Sequence, residues 1–107
     1  MFNKLFSKQL RFAVRSPQWQ AVRKEHLKKE SRCRACGKNK NLEVHHIVPV
    51  HIDPNRELDP SNLITLCSEQ CHLMFGHLMD FKSWNSSVVE DCYEINQKIQ
   101  HRPYKTE

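Results

Sequence analysis

Two cysteine pairs bracket a double histidine. The first pair is Cys33-x-x-Cys36, closed by Gly37, and the second is Cys67-x-x-x-Cys71. Between them lies Val44-His45-His46-Ile47-Val48-Pro49, followed by Asn62-Leu63-Ile64, and His72 comes directly after Cys71. A structural zinc ion takes four thiolates in a closed tetrahedron, and Cys33, Cys36, Cys67 and Cys71 make one full set. A closed set leaves no position for substrate, so it is expected to hold the fold and not to catalyse. Imidazole binds metals, and its unperturbed pKa of about 6.5 suits a general base near neutrality. His45, His46 and His72 are therefore expected to do chemistry around an ion of their own.

For these histidines to meet, secondary structure must carry them. Leu42 to Val48 reads as a short strand. Neighbours on a strand point to opposite faces, so one of His45 and His46 can bind a metal while the other faces elsewhere. Val50 to Ser61, with Asp53-Pro54 and Asp59-Pro60, reads as a loop, and Asn62 to Leu66 as a second extended piece. From Gln70 the spacing of Leu73, Met74, His77, Leu78 and Phe81 predicts a helix, with Gly76 its one weak position. A zinc staple would hold hairpin and helix side by side. His45 and His72 then meet at an open metal site with His46 beside it.

Flanking segments complete the frame. Ser16-Pro17 is a helix start, because serine accepts from free first-turn amides and proline has no amide to waste. A helix is expected over Pro17 to Glu30, with Trp19, Val22 and His26 on one face. Residues 2–14 carry Phe2, Leu5, Phe6, Leu10, Ala13 and Val14 at helical spacing among lysines and arginines, the pattern of a basic amphipathic helix. Lys82 to Ser87 breaks the pattern. Val88 to Ile99 predicts a last helix with Val88, Tyr93 or Cys92, Ile95 and Ile99 turned inward. The organisation expected is a basic N-terminal segment over 1–15, one domain over 16–100 and a tail over 101–107.

Composition bounds the class. The chain has 107 residues, enough for one small domain, and only 38% hydrophobic content, so its core must be thin. Small domains of this kind need a staple. Close-spaced cysteine pairs in a chain with no recognisable signal peptide and no membrane-length apolar run fit metal better than disulfides, which points to an intracellular, cytoplasmic setting. Cys92 is left over and reads as a small buried apolar residue. Charge is uneven: residues 1–40 hold 12 Lys or Arg against Glu25 and Glu30, whereas residues 41–107 hold 5 against 10 acids. A basic front half is expected of a protein that meets nucleic acid, and equally of one kept soluble by its surface.

The order Cys-x-x-Cys, His-His-Ile-Val-Pro, Asn-Leu-Ile-x-Leu-Cys, Cys-His resembles the HNH endonuclease family, in the phage and bacterial branch with an added four-cysteine zinc site. The resemblance covers residues 16–82 and implies an α+β fold, a small ββα-metal (His-Me finger) core with flanking helices. It implies His45 as the first ligand of a catalytic ion, His46 as general base, Asn62 as the residue that ties the hairpin loop, and His72 as the second ligand. His77 stays open between third ligand, phosphate contact and packed residue, because its five-residue step from His72 does not stack on an ordinary helix. His51 reads as a loop histidine and His26 as a packed or surface one. The second cysteine pair departs from the family, which more often spaces it by two residues.

The resemblance implies hydrolysis of DNA phosphodiesters, with structural Zn2+ and a catalytic Mg2+, Mn2+, Ni2+ or Zn2+. Imidazole ligands favour the softer of these over Mg2+. Arg23, Lys24, Lys28, Arg32 and Arg34 would grip the backbone without reading sequence. One unit has one active site, so a monomer would nick, whereas a homodimer or a larger phage or bacterial complex could cut both strands. The rival reading is a non-catalytic, zinc-stabilised nucleic-acid-binding module. In it, Cys33, Cys36, His46 and His51 form one finger and Cys67, Cys71, His72 and His77 another. The nine residues between Cys36 and His46 are short for such a finger.

Overall fold

The computed structural model describes residues 15–104, so the amphipathic pattern over 2–14 and the last three residues lie outside the described part. Its elements run α1 (Trp19–Lys29), β1 (Leu42–His46), β2 (Leu63–Cys67), a π-helical turn (His72–Gly76) and α2 (Val88–Gln100). The result is a small α+β fold with a two-stranded antiparallel sheet, flanking helices and a four-cysteine cluster, consistent with a ββα-metal core.

Ser16 and Pro17 do start α1, but as a turn that precedes it. Ser16 accepts from the Gln18 amide through Oγ at 3.2 Å and from the Trp19 amide through its carbonyl at 2.9 Å. Regular helix therefore begins at Trp19 and not at Pro17. The helix ends at Lys29 because Glu30 turns inward. Its carboxylate accepts from the Thr65 amide at 2.7 Å, and its carbonyl accepts from the Thr65 hydroxyl at 2.8 Å. Burial acts to raise the Glu30 carboxyl, but the Thr65 amide, Arg34 and His26 outweigh it and hold the group below the usual carboxylate range.

β1 pairs with β2 from Leu42↔Cys67 to His46↔Leu63. Ile47 and Val48 fall outside the strand, since the chain turns into the loop there. Alternation along the strands divides the contacts. His46 lies against Trp19 and Thr65 against Glu30, so α1 covers that face. Glu43 and His45 meet the π-helical turn on the other, where Ile64 and Leu66 join Val88 and Cys92 in the core. All five residues of β2 are buried. Cys92 is fully buried and its thiol is pushed up to about 12, chiefly by burial, while Tyr93 stands exposed. The inward position of α2 is thus the cysteine.

The expected helix from Gln70 to Phe81 does not form. The chain makes a single π-helical turn, reaches His77, and reverses through Leu78 and Met79, both in the left-handed region with φ of 53° and 73°. Met74, Leu78 and Phe81, which helical spacing would put on one stripe, are exposed. Neighbouring structure overrides the local pattern. Asn85, 6% exposed, donates to the Phe75 carbonyl at 2.9 Å and to Asp91 at 2.8 Å, and its amide donates to the Gly76 carbonyl at 3.0 Å. That clamp ties the end of the turn to the start of α2.

Candidate active site

Two clusters of metal-ligating side chains form among the described residues. Cys33, Cys36, Cys67 and Cys71 each bring a sulfur within 4.8 Å of the others. The first knuckle is shaped by Gly37 at φ 84°, which follows a turn closed by its own amide on the Cys33 carbonyl at 2.9 Å. The Arg34 amide donates to the Thr65 carbonyl at 2.9 Å and fastens the knuckle to β2, which ends in Cys67. Burial raises the Cys36 and Cys71 thiols. Burial acts the same way on Cys67, but the amides of Cys71 and Gln70 overcome it and hold that thiol at about 7. A metal bound at the four sulfurs would displace their thiol protons. The four-sulfur donor set fits a structural zinc.

The second cluster is His45, His72 and His77, again with one ring nitrogen from each within 4.8 Å of the others. The three rings stand 4.9 Å apart, centroid to centroid, in every pairing. His77 belongs here because of the π-helical turn. A five-residue step splays side chains on an ordinary helix, whereas the wider i→i+5 turn brings them together. The objection to His77 from helical spacing therefore falls with the helix it assumed.

Hydrogen bonds fix how these rings present themselves. A carboxylate only accepts, so His72 donates its Nδ1–H to Glu43 at 2.6 Å and keeps the Nε2 lone pair, which meets His45 Nδ1 at 3.0 Å. His77 likewise donates Nδ1–H to the Ser83 carbonyl at 2.7 Å. Outer partners of this kind orient imidazoles on metals. His45 Nε2 is buried with no hydrogen-bond partner among the described residues. Burial first, then the neighbouring histidines, push His45 down to about 3, and burial lowers His72 against the pull of Glu43. Both shifts favour the neutral ring that a metal ligand requires. An orphaned nitrogen amid rings anchored from outside fits a divalent ion.

Gly76 makes room for this arrangement. A Cβ there would sit 3.0 Å from His45 Cε1 and within 3.2 Å of both ring nitrogens. The sequence marks Gly76 only as a weak helix position; the close approach of His45 explains it.

His46 lies beside the cluster on the other side of β1. A carbonyl only accepts, so His46 donates Nε2–H to the Glu57 carbonyl at 2.8 Å, and Nδ1 carries the free lone pair. Trp19 stacks on the ring at 4.7 Å. Burial lowers the His46 pKa despite the Glu57 carbonyl, with Arg15 adding to the drop. Asn62, fully buried, accepts from the Val48 amide at 2.8 Å and donates to the carbonyls of Val48 at 3.0 Å and Arg56 at 3.1 Å. It therefore pins the peptide next to Glu57 and, through it, the tautomer of His46.

His45, His46, His72 and His77 line one cleft of about 260 Å3, together with His51, Phe81, Arg15 and Lys82. Arg15 and Lys82 are the basic residues of that lining. Arg23, Lys24, Lys28, Arg32 and Arg34 do not line it; Arg34 pairs with Glu30, and Arg32 donates to the Gly37 carbonyl at 3.1 Å. The two-finger grouping is not formed, because the cysteines gather with cysteines and the histidines with histidines. Glu43, Glu57 and Ser83 are not marked by type or spacing, and Trp19 is marked only as a residue on the inner face of the first helix. Of the first three, only Glu43 left a signal, two residues before His45 on one strand face.

No helix among the described residues is long and apolar enough to cross a membrane. Residues 33–77 match the family model described as HNH endonuclease. The match spans both cysteine pairs and the five cleft histidines, His45, His46, His51, His72 and His77. No curated protein and no solved structure gave a match.

Proposed function

We propose that this chain, which carries an HNH endonuclease segment over residues 33–77, is a metal-dependent endonuclease that hydrolyses phosphodiester bonds in DNA. The observation that carries the reading is the pairing of a three-histidine cluster with a separate histidine in one cleft, the latter held as a base by a backbone carbonyl.

His46 takes a proton from water at Nδ1, and the water oxygen bonds to phosphorus as the bond from phosphorus to the leaving 3′ oxygen breaks, leaving a 5′ phosphate and a 3′ hydroxyl. Its Nε2–H stays on the Glu57 carbonyl throughout, so the proton has one place to go. The depressed pKa keeps His46 unprotonated at neutral pH. Asn62 and Trp19 hold the ring in one orientation, which converts encounter into in-line approach. His45, His72 and His77 would hold a divalent ion, with Glu43 and Ser83 steering the outer two rings. Bound there, the ion supplies charge stabilisation at the phosphoryl and leaving oxygens. Three imidazoles favour Mn2+, Ni2+ or Zn2+ over Mg2+. Cys33, Cys36, Cys67 and Cys71 would hold a zinc ion that fastens β2 to the turn bearing His72. Arg15 and Lys82 stand in the cleft where they can meet phosphates, while Arg23, Lys24 and Lys28 extend the basic surface and set a salt-dependent affinity.

The test is relaxation of supercoiled plasmid with Mg2+, Mn2+, Ni2+ or EDTA. The intact protein is expected to nick only with a divalent ion. His46→Ala is expected to lose roughly 100- to 10,000-fold of the rate at unchanged zinc content. Equal rates for the two proteins would remove His46 as the base.

A further inference from the structure

Beyond His77 the chain spends apolar residues where water can reach them. Leu78 is 54%, Met79 64% and Phe81 66% exposed. Leu78 and Met79 are also held with φ of 53° and 73°, a region that costs a side-chain-bearing residue about 1–2 kcal/mol. Neither feature serves the core. The segment is nevertheless well fixed: the Met79 amide donates to the Leu73 carbonyl at 2.9 Å, and Asp80 accepts from the Lys82 amide at 2.9 Å. Its far end supplies the Ser83 carbonyl that orients His77. A rigid, strained, apolar ridge is thus built onto the rim of the histidine cleft.

Phe81 joins the ridge to the cleft. It lines the cleft, its ring lies 4.9 Å from that of His77 and 6.0 Å from that of His72, and two-thirds of the residue remains open. Lys82, next in sequence, lines the same cleft and is exposed. An open aromatic face beside a cation suits a nucleotide, whose base offers a π-face and whose backbone offers the charge. Apolar side chains pushed between base steps separate them.

From this we infer that Leu78, Met79 and Phe81 form a nucleobase-contacting ridge that unstacks a base next to the phosphate being cut. The inference rests on the nuclease reading and sharpens its substrate class. The preferred substrate is DNA with a base that leaves the stack easily, at a mismatch, bubble or flexible step, over uniformly paired duplex.

The experiment uses the full chain carrying His46→Ala, so that DNA is bound and not cut. The probe is a duplex with 2-aminopurine at an unpaired position, and its fluorescence rises when the base is unstacked. A second protein adds Leu78→Gly, Met79→Gly and Phe81→Ala. Glycine accepts the left-handed backbone, so the fold and the zinc content are expected to survive. The parent should raise fluorescence and favour the mismatched duplex over the paired one. The ridge variant should lose the rise and roughly five- to a hundred-fold in affinity for the mismatched duplex. Equal fluorescence and equal preference in both proteins would overturn the ridge while leaving the nuclease reading intact. A change in oligomeric state in the ridge variant, with unchanged fluorescence, would assign the ridge to a second copy and also overturn it. Failure of the parent to bind any DNA would remove both readings together.

Discussion

The molecule gathers metal-ligating side chains twice, and the two clusters are built on opposite principles. The cysteines sit in and against the core, three of them at most 2% exposed, with their sulfurs gathered within 4.8 Å of one another. The three histidines open onto a cleft, and two of them spend a ring nitrogen on outer partners, Glu43 and Ser83. A closed thiolate set fixes backbone; a set of steered imidazoles leaves room for exchange and for substrate. The contrast suggests a division of labour in so small a fold: the cysteine cluster does the work of a core, which frees the half-buried histidine cluster to open onto a cleft.

If that division is right, damage should sort by cluster. The largest effect is expected from Cys67→Ser. It removes a buried ligand that also ends β2, so the protein should lose its zinc and its cooperative thermal transition together, read by metal analysis and circular dichroism. A variant that keeps the transition without zinc would show that the cysteines are not the staple.

Gly76→Ala should invert the usual sign. In an ordinary helix alanine gains about 0.5–1 kcal/mol over glycine. Here the added carbon meets the His45 ring at 3.0 Å, so the ring must shift. Affinity for the exchangeable ion should fall roughly 10- to 100-fold, with zinc at the cysteines retained. Glu43→Gln is milder, because the amide still reaches His72 without the charge. A loss of roughly tenfold in ion affinity is expected, measured by titrating activity with Mn2+.

The smallest effect is on pH dependence. His45 is pushed down to about 3, and burial lowers His46 and His72 as well. Falling pH protonates a base, so the rate should hold as pH drops through the ordinary histidine value of about 6.5 and decline only below it. A pH–rate profile of kcat/KM checks this. A decline centred at or above the ordinary value would contradict the buried setting of these rings.

How much of this could be read from the chain alone follows from how local each feature is. Cys33-x-x-Cys36-Gly37 and His45-His46 are short runs whose chemistry depends on residue type and spacing, and both lie where expected. Asn62 is legible for the same reason, though its three backbone bonds are not. The π-helical turn was hidden, because Leu73, Met74, His77, Leu78 and Phe81 imitate an ordinary helix. The clamp from Asn85 and the approach of His45 to Gly76, both tertiary, accompany the wider turn. His77 could not be placed until the turn was known. Trp19 and Glu57 reach His46 from 27 residues before and 11 after, separations that no local pattern encodes.

Metal counting after graded chelation tests the division most directly. Protein purified with zinc and loaded with Mn2+ is dialysed against mild EDTA, and metal and plasmid nicking are followed together. Mn2+ and activity should leave first, one zinc per chain should stay with the fold intact, and Mn2+ alone should restore nicking. Two ions held with equal tenacity, or a chain that keeps its full activity after the exchangeable ion is gone, would contradict it.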